Sequence, residues 1–147
     1  MKDCGEGWER HEDLCYLWAT AKKNWTAAED FCQQEGGHLA SVASDATMGF
    51  VLLGAVKKNL AEVWLGGNDI EKEGVWKWTD CATWNLTFWA HGEPSNAGGA
   101  EHCLQYSKKY YPWNDDECYN EKDVFLCSKK ICPKNSNTDT GVIYLNY

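Results

Sequence analysis

The sequence predicts one α+β domain with an antiparallel sheet that is held together by disulfides. Helical periodicity is confined to residues 27–56, whereas segments rich in aromatic and β-branched residues follow residue 60. Because helices and strands do not alternate, a parallel sheet with crossover helices is disfavoured. An even count of eight cysteines in an acidic chain of 147 residues indicates disulfides formed in an oxidising compartment.

Two helices are predicted in the first half of the chain. Thr26 is the predicted N-cap of the first, with Glu29 three residues on to close a capping box. The helix covers Ala27–Glu35 and stops at a Gly-Gly pair. Either Ser44 or Thr47 caps the second helix. Its apolar face, at helical spacing, consists of Met48, Val51, Leu52 and Ala55.

Strands are predicted before and after these helices. Between two of them, residues 81–100 contain Gly, Pro, Asn and Ser with little periodicity and form a long loop. Loops of this length are uncommon in compact domains and tend to be functional. The predicted strands are Leu14–Ala19, Val63–Gly67, Gly74–Thr79, Glu101–Tyr106, a stretch around Trp113, and Asp123–Lys129.

Residues 1–132 form the predicted domain, and residues 133–147 form a C-terminal tail. The tail turns polar and then ends in the apolar run Val142–Leu145. We expect it to be frayed. An extra edge strand or a contact with another subunit is the alternative.

Charge and motifs exclude several classes of function. A formal net charge of −8 disfavours nucleic acid and anionic membranes as partners, since both require a basic surface. No apolar run approaches the ~20 residues of a membrane span, so no membrane insertion is expected. Two sequons, Asn24–Thr26 and Asn85–Thr87, fit a secreted, extracellular protein, and we expect a leader to have been removed before Met1. Without a nucleophile elbow, phosphate loop or dinucleotide fingerprint, no enzymatic activity is predicted.

The loop-rich half of the chain concentrates side chains that carry oxygen ligands. Calcium takes about six to eight oxygen ligands from carboxylates, amide carbonyls and water, and an acidic loop closing on an Asn-Asp pair supplies such a set. The peptide bond before Pro94 is a candidate for the cis form. The predicted calcium ligands are Glu93, Ser95, Glu101, Asn114 and Asp115.

An ordered series of motifs between residues 4 and 130 resembles the C-type lectin family. The resemblance is specific because many motifs fall in one order. It implies a fold of two helices and two small antiparallel sheets, with an irregular calcium and ligand loop on top. The motifs are Cys4-x3-Trp8, Cys15-Tyr16, the helix ending at Cys32, Gly37–Val42, Trp64–Gly67, Trp76–Asp80, Glu93–Ser95, Trp113–Asp115 and Phe125–Cys127.

The resemblance also implies a pattern of disulfides. Members of the family share two disulfide bridges, and members with an N-terminal hairpin have a third. Two cysteines fall outside this pattern, and a bridge between them is the simplest pairing, with a bridge to a second chain as the alternative. The implied pairs are Cys4–Cys15, Cys32–Cys127 and Cys103–Cys118, and the additional pair is Cys81–Cys132.

In the family that the chain resembles, the calcium ligands also bind sugar. The carboxylate and amide groups that hold the ion also form hydrogen bonds with two adjacent sugar hydroxyls, which themselves ligate the ion. Glu93 before Pro94 resembles sites that accept the equatorial 3- and 4-hydroxyls of mannose and GlcNAc. Ser95 departs from the family pattern, because an Asn there both ligates calcium and donates to the sugar. Asn96 is positioned to compensate in part.

A second calcium site or sugar contact is implied at Asp69, Glu73 and Asn96. Asp69 and Glu73 have the family's spacing of four residues. The family often has an Asp directly after the residue at position 101, where this chain has His102. The alternative is a solvated acidic turn.

Together these features predict a calcium-dependent lectin of mannose/GlcNAc type, serving innate immune recognition of glycans or agglutination. Two alternatives are a type II antifreeze-like protein, which shares the fold, and a lectin-like domain that binds a protein ligand. Because lectin modules bind single sugars with a Kd near ~1 mM, useful avidity needs several sites. We therefore expect a homo-oligomer, with Cys81 or Cys132 as possible links in a disulfide-linked dimer.

Overall fold

The computed structural model describes residues 4–129, 132–133 and 144–145. Two helices, α1 Trp25–Gln34 and α2 Asp45–Lys57, pack against a sheet. The predicted α+β class is confirmed. The strands are β1 Glu9–His11, β2 Leu14–Lys23, β3 His38–Leu39, β4 Glu62–Asn68, β5 Lys77–Trp78, β6 Glu101–Ser107, β7 Trp113–Glu117, β8 Lys122–Lys129, β9 Cys132–Pro133 and β10 Tyr144–Leu145.

Helix α1 begins two residues earlier than predicted. Its N-cap is Asn24, whose side chain accepts a hydrogen bond from the Ala27 amide at 2.9 Å, so the prediction of Thr26 as the cap is wrong. The Glu29 carboxylate does not close a capping box either. It is buried and accepts from the Leu39 amide at 2.9 Å, which ties α1 to β3. The contact with β3 thus occupies the carboxylate that the local pattern assigned to the capping box.

Helix α2 begins after Ser44, one of the two predicted caps. The Ser44 hydroxyl accepts from the Thr47 amide at 3.1 Å. The predicted apolar face is turned inward, with Met48, Val51 and Ala55 buried. This helix covers one face of the core.

The strands form two antiparallel halves that meet at a single parallel contact. One half has the order β1-β2-β8, with β3 beside β8, and the other has the order β4-β6-β7, with β5 beside β4. The halves join where Trp64 of β4 pairs in parallel with Phe125 of β8. Both residues are fully buried and belong to the same hydrophobic cluster, so the junction lies inside the core.

Disulfides tie this framework together, and the three within the described residues are the pairs that the resemblance implies. Cys32–Cys127 joins α1 to β8, and Cys103–Cys118 joins β6 to the end of β7. Cys4–Cys15 closes the N-terminal hairpin. Cys81 is exposed, and the Cys132 side chain lies outside the described residues, so the bridge between them stays a prediction.

The segment between β5 and β6 is irregular, as predicted. The strand predicted over residues 74–79 is limited to Lys77–Trp78. Between residues 81 and 100, the ordered features are one bridge from Trp89 to Trp113 and a short 3-10 turn, Ala97–Gly99. Most of the predicted tail lies outside the described residues, although β9 and β10 pair antiparallel. In the described part of the chain, no helix is long and apolar enough to cross a membrane.

Candidate functional site

The predicted calcium ligands approach one another where the long loop meets β6 and β7. Asn114 and Asp115 lie on β7, and Glu101 is the first residue of β6. Glu93 and Ser95 lie on the loop, and the peptide bond between Glu93 and Pro94 is cis, as the sequence suggested. The two strands therefore present a fixed edge, and the loop folds back onto it.

Asp115 is the anchor for the loop. Its side chain is buried, and its two carboxylate oxygens accept from successive backbone amides. The Ser95 amide donates to Oδ1 at 2.9 Å, and the Asn96 amide donates to Oδ2 at 2.8 Å. Charge-assisted hydrogen bonds of this kind are stronger than neutral ones, so Asp115 fixes the backbone that follows Pro94.

Glu101 holds the next turn of the same loop. Its Oε1 accepts from the Ser95 hydroxyl at 3.0 Å and from the Ala97 amide at 3.0 Å. In return, the Glu101 amide donates to Oδ1 of Asn96 at 3.1 Å. The Asn96 oxygen thus accepts one hydrogen bond from the β6 backbone.

The carboxyl group of Glu93 lies against that of Asp115. Burial, followed by the hydrogen bond and repulsion from Asp115, raises the pKa of Glu93 to about 7. Burial likewise raises the pKa of Glu101. Acidic groups crowded in this way are stabilised either by protons or by a cation among them. The electrostatics of the site therefore fit a cation.

Asn114 contributes differently from the acidic residues. It is buried, its Oδ1 accepts from Nε2 of Gln105 at 2.8 Å, and its Nδ2 donates to the Asp115 carbonyl at 2.8 Å. An amide oxygen has two lone pairs, so one remains for a cation. The structure holds Asn114 within the sheet at the edge of the site.

The donor set of this region matches the requirements of calcium. Carboxylate, hydroxyl and amide oxygens are the hard ligands that this ion takes, and water completes its shell. Among the described residues, however, a different group of acidic and histidine side chains has ligand atoms that all lie within 4.8 Å of one another. This group consists of Asp69, Glu73 and His102. At the predicted calcium site, the backbone amides of residues 95–97 donate hydrogen bonds to the carboxylates of Asp115 and Glu101.

That second group coincides in part with the predicted second calcium site. Asp69 and Glu73 meet, but the third member is His102, whereas Asn96 is bonded to Asp115 and Glu101. The sequence showed His102 in place of the family's Asp but did not assign it to this group. The feature of the sequence that could have pointed to His102 is its position directly after Glu101.

Aromatic side chains form a support beneath the loop. Trp113 is fully buried, and Trp84 and Trp89 lie half-buried with ring centroids 6.0 and 5.7 Å from it. Trp84 also packs on Trp78 at 4.6 Å and on Trp76 at 5.9 Å. Trp84 thus contributes to the core next to the loop.

Comparison with known proteins gives a consistent result. A family model described as "Lectin C-type domain" matches residues 21–129. The galactose-specific lectin nattectin of Thalassophryne nattereri is 34% identical over 130 residues, which cover 87% of this chain and 81% of that protein.

Solved structures show the same fold. The carbohydrate-recognition domain of cow CD23, solved in the presence of GlcNAc2Man3 oligosaccharide, is similar with a TM-score of 0.79 and 28% identity, covering 87% of this chain and 96% of that one. A calcium-dependent type II antifreeze protein in its calcium-free form has a TM-score of 0.77 and 27% identity, covering 86% of this chain and 100% of that one.

Proposed function

Because the chain belongs to the C-type lectin domain family, we propose that it is an extracellular, calcium-dependent carbohydrate-binding protein and not an enzyme. The observation that carries this proposal is the contact of Glu93 and Ser95 with Asp115 at the folded-back loop. The residues that would hold calcium are Glu93, Ser95, Glu101, Asn114 and Asp115.

The residues of the site have different roles in binding calcium and sugar. When bound, calcium supplies coordination positions for two adjacent sugar hydroxyls. The carboxylates of Glu93 and Glu101 accept hydrogen bonds from those hydroxyls, and Asp115 keeps the loop backbone in place. The Ser95 hydroxyl donates a hydrogen bond to Glu101. It is a shorter polar group than the amide that the family has at this position.

The preferred sugars are mannose and GlcNAc, whose equatorial 3- and 4-hydroxyls suit a site with Glu before Pro. Glu93 occupies that first position. The cow CD23 domain was solved with an oligosaccharide containing both sugars, whereas nattectin is named as galactose-specific, so family membership alone does not fix the sugar.

A glycan array with calcium and with EDTA tests the proposal. We expect retention on mannose- or GlcNAc-terminated glycans with calcium and loss with EDTA. Asp115→Asn and Glu101→Gln should lose this binding, whereas Asp123→Asn removes one exposed carboxylate on β8 and should retain it. Calcium-dependent binding that persists in Asp115→Asn would contradict the assignment, and so would binding to no glycan.

The biological setting follows from the disulfides and from avidity. The three disulfides of the described residues fit an oxidising, extracellular compartment. Weak binding to single sugars favours an oligomer that engages several glycans on one particle, as in innate immune recognition or agglutination. Non-reducing and reducing gels test a covalent dimer, and identical monomer bands would rule it out.

Ice binding is the second candidate, favoured by the similarity to the calcium-dependent antifreeze structure. A thermal-hysteresis measurement separates the two. Ordinary freezing behaviour together with calcium-dependent glycan binding supports the lectin. Binding to a protein ligand without calcium would support the third interpretation, which is motivated by the Ser at position 95.

A further inference from the structure

One histidine faces two carboxylates beside the ligand loop. Nδ1 of His102 lies 3.1 Å from Oδ1 of Asp69 and 3.0 Å from Oε1 of Glu73. The three ligand atoms all lie within 4.8 Å of one another. The group combines two oxygen donors with one nitrogen donor.

The Asp69 carboxylate is the deepest member of this group. Its side chain is 0% exposed. Oδ2 accepts from the Gly74 amide at 2.9 Å, whereas in the described part of the chain Oδ1 has His102 as its hydrogen-bond donor and points into the cluster. Burying a carboxylate is costly unless it meets a donor or a cation. The His102 ring meets that need in this structure, and a cation bound among the three side chains would meet it as well.

The scaffold holds the group from two strands. Asp69 directly follows β4, and His102 is the second residue of β6. Their backbones are joined by a hydrogen bond from the Asp69 amide to the His102 carbonyl at 3.0 Å. Glu73 lies in the turn that the Gly74 amide closes onto Asp69. Elements held in this way position ligands more firmly than a free loop does.

We infer that Asp69, Glu73 and His102 form a zinc site that is distinct from the proposed calcium and sugar site. Calcium takes about six to eight oxygen ligands, and a nitrogen donor does not suit it. Zinc takes four ligands drawn from histidine nitrogen, carboxylate oxygen and water. Three protein ligands with one open position match what this group offers.

Distances within the group suit this ion. Bonds of about 2.0–2.1 Å in a tetrahedron place neighbouring ligand atoms about 3.3 Å apart. The 3.0 and 3.1 Å separations from His102 need to grow by only a few tenths of an ångström.

Direct titration of the purified chain with zinc tests the site. Calorimetry should show one zinc bound per chain, and cobalt should give the visible absorption of a tetrahedral site. His102→Ala and Glu73→Gln should each lower the zinc affinity at least about tenfold. His91→Ala removes an exposed histidine on the loop and serves as the matched control with unchanged affinity. Circular dichroism confirms that each variant is folded.

Two results would overturn the inference. One is zinc binding by His102→Ala at the affinity of the original chain, and the other is no zinc binding by the original chain, which would leave His102 as an ion-pair partner only. Asp115→Asn separates this inference from the proposed function, since it should lose calcium-dependent glycan binding and keep zinc. His102→Asp supplies an oxygen in place of nitrogen and should lower the preference for zinc over calcium.

Discussion

The framework and the ligand loop of this domain are ordered by different interactions. In the framework, residues 14–68 and 101–129, buried apolar side chains such as Trp64 and Phe125 hold α1, β4 and β8 together. Every residue from 81 to 100 is at least partly exposed. The loop's last turns are held instead by backbone hydrogen bonds to Asp115 and Glu101.

This difference separates stability from binding. Loss of a hydrogen bond from the loop to Asp115 or Glu101 should leave the framework intact, because the core is held by apolar contacts, to which Trp84 and Trp89 of the loop also contribute. The loop depends on two carboxylates that are also proposed calcium ligands, so its order and its ligand are linked. Substitutions in the framework should therefore change the free energy of unfolding, whereas substitutions at the loop edge should change ligand affinity.

The largest effect is expected from removing the Cys32–Cys127 bridge. These cysteines are 95 residues apart, and releasing a loop of that size from the unfolded chain lowers the free energy of unfolding by about 4–5 kcal/mol. The Cys32→Ser, Cys127→Ser double variant in urea denaturation measures it. The Cys4→Ser, Cys15→Ser variant is the control, because a separation of 11 residues predicts only about 3 kcal/mol. An equal loss in both would contradict the argument from loop length.

Two glycines in the framework should respond in opposite directions to alanine. A Cβ on Gly37 would lie 2.1 Å from the Ser128 carbonyl oxygen, so backbone must shift and the free energy of unfolding should fall by about 3 kcal/mol. Gly49 lies inside α2, where a Cβ would meet no atom within 4 Å beyond the helix's own backbone, and there alanine should stabilise by about 0.5–1 kcal/mol. Thermal unfolding of both variants checks the sign.

Calcium should stabilise the domain through the loop edge. At a free concentration about 100 times the dissociation constant, one bound ion raises the free energy of unfolding by about 2.7 kcal/mol. Asp115→Asn should remove this increment while leaving the calcium-free stability within about 1 kcal/mol, since the amide oxygen still accepts one of the two backbone hydrogen bonds. Denaturant titrations with calcium and with EDTA measure both free energies. A calcium increment retained in Asp115→Asn would contradict the link between loop and ligand.

Burial and local chemistry made most of the framework predictable. The apolar face of α2, the glycine-punctuated strand at β4 and the irregular loop at residues 81–100 all followed from the sequence pattern. The N-cap of α1 did not, because Asn24 caps the helix through the Ala27 amide and the Glu29 carboxylate accepts from the Leu39 amide instead. The parallel contact between Trp64 and Phe125 joins residues that are distant in the chain, and no local pattern encodes such a pairing.

The site was predictable as a set of residues, but not as a set of contacts. Spacing placed Glu101 and Asp115 near the loop, yet it did not show that the loop amides bind them. It also did not assign His102 to the group of Asp69 and Glu73, where the structure brings it. Which side chain fills a given gap depends on the three-dimensional course of the loop, which no local periodicity describes.

The smallest effect is expected at Ser95, where the loop departs from its family. Ser95→Asn supplies an amide oxygen for calcium and an amide donor for sugar, and it should raise calcium affinity by up to about tenfold, or about 1.4 kcal/mol. Ser95→Ala is the control, because it removes the hydroxyl oxygen together with its exposed hydrogen bond to Glu101 and should weaken calcium binding by about 1 kcal/mol or less. Calorimetric titration with calcium compares the two. If Ser95→Asn leaves the calcium affinity unchanged, the side chain at position 95 does not ligate calcium, and the ion is held by the other four proposed ligands.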